Sequence, residues 1–149
     1  MPCDRGLSSR ITLPSAPLAV REALASLVGS PVIRSLPQED RLNAEILLAE
    51  VLNNCVEHAY GDGKGEIEVS LALRRGRLAC EIVDRGRPMA GRTLPPRRDL
   101  RAGAAPPLAE GGFGWPIIRA LARDLAYRNE NGVNRLTFRL GPAEAECCP

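Results

Sequence analysis

From Pro17 to Val28 the apolar residues Leu18, Val20, Ala23, Leu24, Leu27 and Val28 recur at helical spacing, and Gly29-Ser30-Pro31 stops the run. A second helical run opens at Ser35-Leu36-Pro37-Gln38, where a serine N-cap, an early proline and a capping-box glutamine are expected. It extends to about Ala59 and breaks at Gly61, Gly63 and Gly65. The period then changes. Residues 66–73 alternate polar with apolar side chains, as a strand with one buried face does. Arg75-Gly76 makes a turn, and Leu78, Cys80, Ile82 and Val83 mark a partner strand that runs into Asp84-Arg85-Gly86-Arg87-Pro88. Residues 89–110 are rich in Gly, Pro and Arg with little periodicity, which predicts a mobile loop. After Glu110-Gly111-Gly112-Phe113-Gly114, a helix opens at Trp115-Pro116 with Ile117, Ile118, Leu121 and Ala122 on its apolar face. A hairpin closes the pattern, with strands at Leu125–Asn129 and Val133–Leu140 around Asn131-Gly132. Upstream, Arg10-Ile11-Thr12-Leu13 reads as a short strand ended by Pro14.

Strands and helices in this order are partly segregated. They predict an α+β two-layer sandwich in which a mainly antiparallel, mixed sheet carries helices on one face. At 149 residues the chain is expected to form a single domain over 1–149, with a core at about 10–140 and tails at 1–9 and 141–149. Aromatic residues are only 3%, so the core must be aliphatic. A net charge of +2 is too small to argue for nucleic acid, although Arg85, Arg87, Arg92, Arg97, Arg98 and Arg101 face only Asp99 in their segment. No apolar run is long enough to span a bilayer, and Met1–Arg10 lacks the order of a secretion signal. Five cysteines at no metal-ligand spacing fit a reduced, cytoplasmic protein, with Cys55 and Cys80 inside apolar patterns.

Three segments could carry chemistry. In the second helix, a rotation of about 100° per residue puts Glu50, Asn54 and His58 within about 80° of one another. Leu48, Val51, Leu52, Cys55 and Ala59 centre roughly 120° away, so one face packs while a neighbouring face holds a carboxylate, an amide and an imidazole. The stripe is either a site or a solvated face. Asp84-Arg85-Gly86 is either a binding turn or an ordinary Asx-type turn. The glycine cluster before Trp115 is either a linker or a phosphate cradle, in which backbone N–H groups and a helix N-terminus meet oxygen anions.

Taken together, "AEVLNNCVEHAYG", "EIVDRGRP", "GGFGWPIIRALARD" and "NRLTFRL" stand in one register. They resemble the N, G1 and G2 boxes of the GHKL ATPase superfamily, which includes gyrase-type ATPases and histidine kinases. Over about Arg10 to Leu140 the chain is most similar to the anti-sigma factor serine-protein kinases, the RsbW-like family, whose fold is the Bergerat-type, histidine-kinase-like ATPase. The resemblance implies ATP or ADP with Mg²⁺ as cofactors. It implies Glu50 as the general base and Asn54 as the Mg²⁺ ligand. Asn53, turned about 100° away, is the weaker candidate for that ligand. It implies Asp84 as acceptor for the adenine amine, with Gly86 letting the ring approach the backbone. Gly111, Gly112, Phe113 and Gly114 would form the phosphate loop, and residues 89–110 the lid. His58 would shape the pocket floor, and Arg119 or a lid arginine would neutralise phosphate charge. The pattern departs from the family at Pro88, where the G1 box usually has glycine.

The implied function is an ATP-dependent protein-serine kinase that phosphorylates a STAS-type antagonist and sequesters a sigma factor. It implies no direct nucleic acid, no membrane, and a homodimer surface on the first strand and helix. Phosphoryl transfer asks mainly for positioning and charge neutralisation, which such a set supplies. The alternatives are a non-catalytic ATP/ADP-binding switch acting by partner exchange, and a detached histidine-kinase-type ATPase domain. Glu50 favours an enzyme over a pure binder. The single histidine, His58, lies inside the N box, which argues against self-contained histidine kinase action.

Overall fold

The computed structural model describes residues 6–61, 63–96 and 114–142. Its elements are β1 (Leu7–Pro14), α1 (Pro17–Val28), α2 (Pro31–Arg34), α3 (Gln38–Asn54) and a π-helical turn (Cys55–Tyr60). There follow β2 (Glu66–Arg74), β3 (Arg77–Asp84), a 3₁₀ turn (Ala90–Arg92), α4 (Gly114–Leu121), β4 (Arg123–Glu130) and β5 (Val133–Leu140). The strands form one sheet in the order β1-β2-β3-β5-β4. Every described pairing is antiparallel, so the α+β sandwich holds and its sheet has no parallel pair among the described residues.

The period-two pattern decides which face packs. Ile67, Val69 and Leu71 of β2, Leu78, Cys80 and Ile82 of β3, and Leu136, Phe138 and Leu140 of β5 are buried. They join Val20 and Leu27 of α1, Leu47, Leu48, Val51 and Leu52 of α3, and Ile118 of α4 in one core. Fully burying each large aliphatic side chain contributes roughly 1.5–3 kcal/mol, so this aliphatic layer dominates the stability. The opposite face of the sheet is polar and carries the ion pairs Arg10–Glu68 at 3.3 Å and Arg135–Glu81 at 2.7 Å. Both hairpins turn on a residue pair in the left-handed region: Arg75 and Gly76 (φ 52° and 75°), and Asn131 and Gly132 (φ 52° and 77°). Such turns match the strand twist.

Two expectations about the second helix are corrected. Ser35 does not cap α3. It ends the short helix α2, where its hydroxyl donates to the Pro31 carbonyl at 2.7 Å, and Pro37 occupies the N-cap position of α3 without a side-chain cap. Pro31 and the left-over turn of four residues capture the serine first. The α-helix also ends at Asn54 rather than about Ala59, because the last turn widens into a π-helix. The carbonyls it leaves open are satisfied from outside: Ala59 O accepts from Arg87 N at 2.6 Å and Tyr60 O from Gly63 N at 2.7 Å. That crossing from helix end to the turn after β3 positions the site.

Candidate functional site

A cavity of about 310 Å³ opens between α3, the π-helical turn, the ends of β3 and β5, and the segment after β3. That is the lower end of the range for small-molecule sites. Asn54, Cys55, His58, Asp84, Met89, Pro95, Trp115, Tyr127 and Asn134 are among its walls.

Asp84 ends β3 and points inward because it continues the alternation of Leu78, Cys80 and Ile82. Asp84 and Asn134 are both buried, at 6% and 3% exposure, and they are register partners across β3 and β5. A buried carboxylate is costly unless it is hydrogen-bonded, and this one is. Asp84 Oδ1 accepts from Gly86 N at 2.9 Å and from Asn134 Nδ2 at 2.8 Å. The Cys55 thiol approaches Oδ2 at 3.6 Å. One carboxylate oxygen is therefore held firmly, while among the described residues the other meets a weak S–H donor. Burial above all, then the Asp84 charge and the hydrogen bond to it, pushes the Cys55 thiol far up, so it stays protonated as that donor.

Gly86 has no room for a side chain, since a Cβ there would collide with the Ala59 carbonyl. This close approach is the structural content of the Asp-x-Gly turn. Tyr60 fixes the same junction from the other side, accepting from Arg85 N at 2.7 Å and donating to the Glu66 carbonyl at 2.8 Å. Burial raises the Tyr60 hydroxyl, partly opposed by the Arg85 amide, so it stays a neutral donor.

At the opposite side of the site, α3 brings Glu50 and Asn54 one turn apart against the start of α4. A Cβ on Gly114 would lie 2.9 Å from Glu50 Oε2 and 3.5 Å from Asn54 Oδ1. Asn54 Nδ2 is buried with no hydrogen-bond partner among the described residues. An orphaned amide beside a carboxylate and a glycine-lined helix N-terminus fits a group that arrives with a ligand. No cluster of three or more His, Cys, Asp or Glu able to hold a metal occurs among the described residues. A lone amide oxygen near one carboxylate suits Mg²⁺, which keeps waters and binds through substrate phosphates.

The structure thus brings Glu50, Asn54 and Gly114 together, and Asn54, His58 and Asp84 around the cavity. His58 lies at its mouth, not its floor: the side chain is 60% exposed and 3.8 Å from Glu57. Asn53 is exposed, as its rotation away from Asn54 predicts. Gly111, Gly112, Phe113 and the arginines at 97, 98 and 101 lie outside the described residues. Arg119 reaches back to the segment after β3, donating from Nη2 to the Pro95 carbonyl at 2.5 Å.

Sequence reasoning missed Asn134, Tyr127, Asn129 and Cys55 as parts of the site. Tyr127 Oη donates to Asn134 Oδ1 at 2.7 Å, and Asn129 Nδ2 donates to the same oxygen at 2.7 Å. One signal was available. In Val133–Leu140 the inward positions are Asn134, Leu136, Phe138 and Leu140, and an amide among three hydrophobes marks a polar partner.

The fold, with a cavity at the ends of β3 and β5, is that of an ATPase-type domain. The histidine kinase-like ATPase domain family matches residues 13–140, and the chain belongs to that family. It is similar to the serine-protein kinase RsbW of Oceanobacillus iheyensis, 28% identical over 124 residues that cover 81% of this chain and 78% of that protein. The serine-protein kinase RsbW of Bacillus mycoides is also 28% identical, over 101 residues, 66% of this chain and 62% of that one. In three dimensions it resembles the RsbU and RsbW domains of Rv1364c from Mycobacterium tuberculosis, with a TM-score of 0.62 at 22% identity. That match covers 92% of this chain and 34% of the two-domain chain. Among the described residues no helix is long and apolar enough to cross a membrane.

Proposed function

We propose that the chain is an ATP-dependent protein-serine kinase of a partner-switching system, acting on a STAS-type antagonist and sequestering a sigma factor. The observation that carries it is the two-ended site: an oriented, buried carboxylate at one end, and a carboxylate–amide pair against a helix N-terminus at the other. Asp84 would accept the adenine amine through Oδ2, with Oδ1 already occupied by Gly86 and Asn134. Asn54 would hold Mg²⁺, which when bound neutralises phosphate charge. Glu50, one turn away, would take the proton of the attacking serine hydroxyl. The chemistry then needs little beyond positioning. Gly114 and the preceding glycines would meet the phosphates with backbone N–H groups, and His58 would line the mouth.

The second reading, a nucleotide-binding switch without transfer, shares every feature except Glu50. The experiment that separates them is phosphate transfer from Mg-ATP to a STAS partner, run beside nucleotide titration. Glu50→Ala is expected to keep ATP binding within a few-fold and to lose transfer. Asp84→Asn is expected to lose binding. A protein that binds ATP through Asp84 and never transfers phosphate supports the switch instead.

A further inference from the structure

We propose that Tyr127 is a positioning residue that couples occupancy of the base site at Asp84 to the backbone of the strap at Met89, through Asn134. The inference rests on the reading of Asp84 as the acceptor for the base.

Four groups form one chain of donors running in a single direction. Met89 N donates to Tyr127 Oη at 3.0 Å, and Tyr127 Oη donates to Asn134 Oδ1 at 2.7 Å. Asn134 Nδ2 donates to Asp84 Oδ1 at 2.8 Å. The orientation of the Asn134 amide is fixed on both sides, because Nδ2 also meets the carbonyls of Gly86 (3.1 Å) and Arg87 (3.3 Å), while Oδ1 meets the donors of Tyr127 and Asn129. Tyr127 has no spare capacity: its one proton goes to Asn134 and its acceptor takes Met89 N–H. Such head-to-tail chains polarise one another, so a change at one end is felt along them.

The two ends do different things. Asp84 lines the cavity from the sheet, and Met89 and Pro95 line it from the strap of residues 85–96 that follows β3, where Pro95 is held by Arg119. Tyr127 itself comes from the edge strand β4 and belongs to neither wall's motif. A base that donates to Asp84 Oδ2 restrains rotation of the carboxylate, so that Oδ1 stays aligned with the Asn134 amide. Through Tyr127 that ordering holds the Met89 amide. Linkage requires the reverse as well: holding the strap raises affinity for the base.

The test is exchange of the Met89 amide in the full chain, with and without saturating ADP, in wild type, Tyr127→Phe, Asn134→Ala and the double variant. In wild type ADP is expected to slow exchange at Met89 at least about fivefold, the scale of one hydrogen bond. In Tyr127→Phe, measured at ADP concentrations raised until its own binding is saturated, that slowing is expected to vanish, and adding Asn134→Ala changes Met89 no further. Asn134→Ala alone carries the same decision should Tyr127→Phe lose the native far-UV spectrum. ADP-dependent slowing that persists in both single variants overturns the coupling. ADP binding that is unaffected by Asp84→Asn overturns the base-site reading, and the coupling with it. Loss of coupling with Asp84-dependent binding intact removes the coupling alone.

Discussion

Gly114 begins α4 directly against Glu50: a Cβ there would come within 2.9 Å of Glu50 Oε2. The atom it would meet is the end of a flexible side chain, so the carboxylate can swing aside without disturbing the helices. Gly114→Ala is therefore expected to shift Tm by less than about 4 °C. Phosphate transfer should fall at least about tenfold, because a misplaced base costs more than its displacement suggests. Unchanged transfer would mean that Glu50 does not act from this position.

Gly86 stands in the opposite situation. Its added Cβ would run into backbone, the carbonyl of Ala59, which is already bonded to Arg87 N at 2.6 Å. Neither group can move alone. Gly86→Ala is expected to cost about 1–3 kcal/mol or more, seen as a lower urea midpoint even without nucleotide.

Tyr60→Phe tests the same junction by deletion. The change leaves the Arg85 N–H and the Glu66 carbonyl without the hydroxyl that joins them. Both groups lie where water can reach, so the loss should be about 1–2 kcal/mol rather than the larger penalty of a buried orphan. Thermal unfolding of the two proteins side by side measures it.

The thiols predict a pH dependence. Burial raises Cys80, and burial with Asp84 raises Cys55, so both hold their protons more tightly folded than unfolded. Their contribution is complete below the unfolded thiol value of about 8.5 and is lost as pH rises beyond it, by about 1.4 kcal/mol per pH unit for each thiol. Urea unfolding at pH 7.5, 8.5 and 9.5 should show that fall. Cys55→Ala and Cys80→Ala should each flatten the slope, whatever they do to absolute stability. Iodoacetamide, which needs the thiolate, should label neither residue appreciably until the chain unfolds.

Periodicity located α1 at about Pro17–Val28 and marked all five strands, although β1 runs Leu7–Pro14 rather than Arg10–Leu13 and so takes in part of the tail expected at 1–9. The motifs placed Glu50, Asn54, Asp84 and Gly86 in one region. Local rules failed where two local structures compete for a residue. Ser35 could cap α3 or close α2, and it closes α2, whose Val32 and Ile33 are buried in the core. The π-helical turn was equally hidden. Arg87 and Gly86, far along the chain, bond and pack against its last turn. Tyr127 escaped notice for the same reason. Its meaning lies in strand register, which pairs it with Leu136 and leaves its hydroxyl beside Asn134.

The pairing of Asp84 with Asn134 across β3 and β5 also orders events during synthesis. α3, its π-helical turn and the acid are made before residue 90, yet the amide that orients the acid comes with the last described strand. A nascent chain lacking that strand holds the carboxylate through the Gly86 amide but not yet through the Asn134 side chain. Nucleotide capture on the ribosome should therefore begin only after β5 has emerged from the exit tunnel.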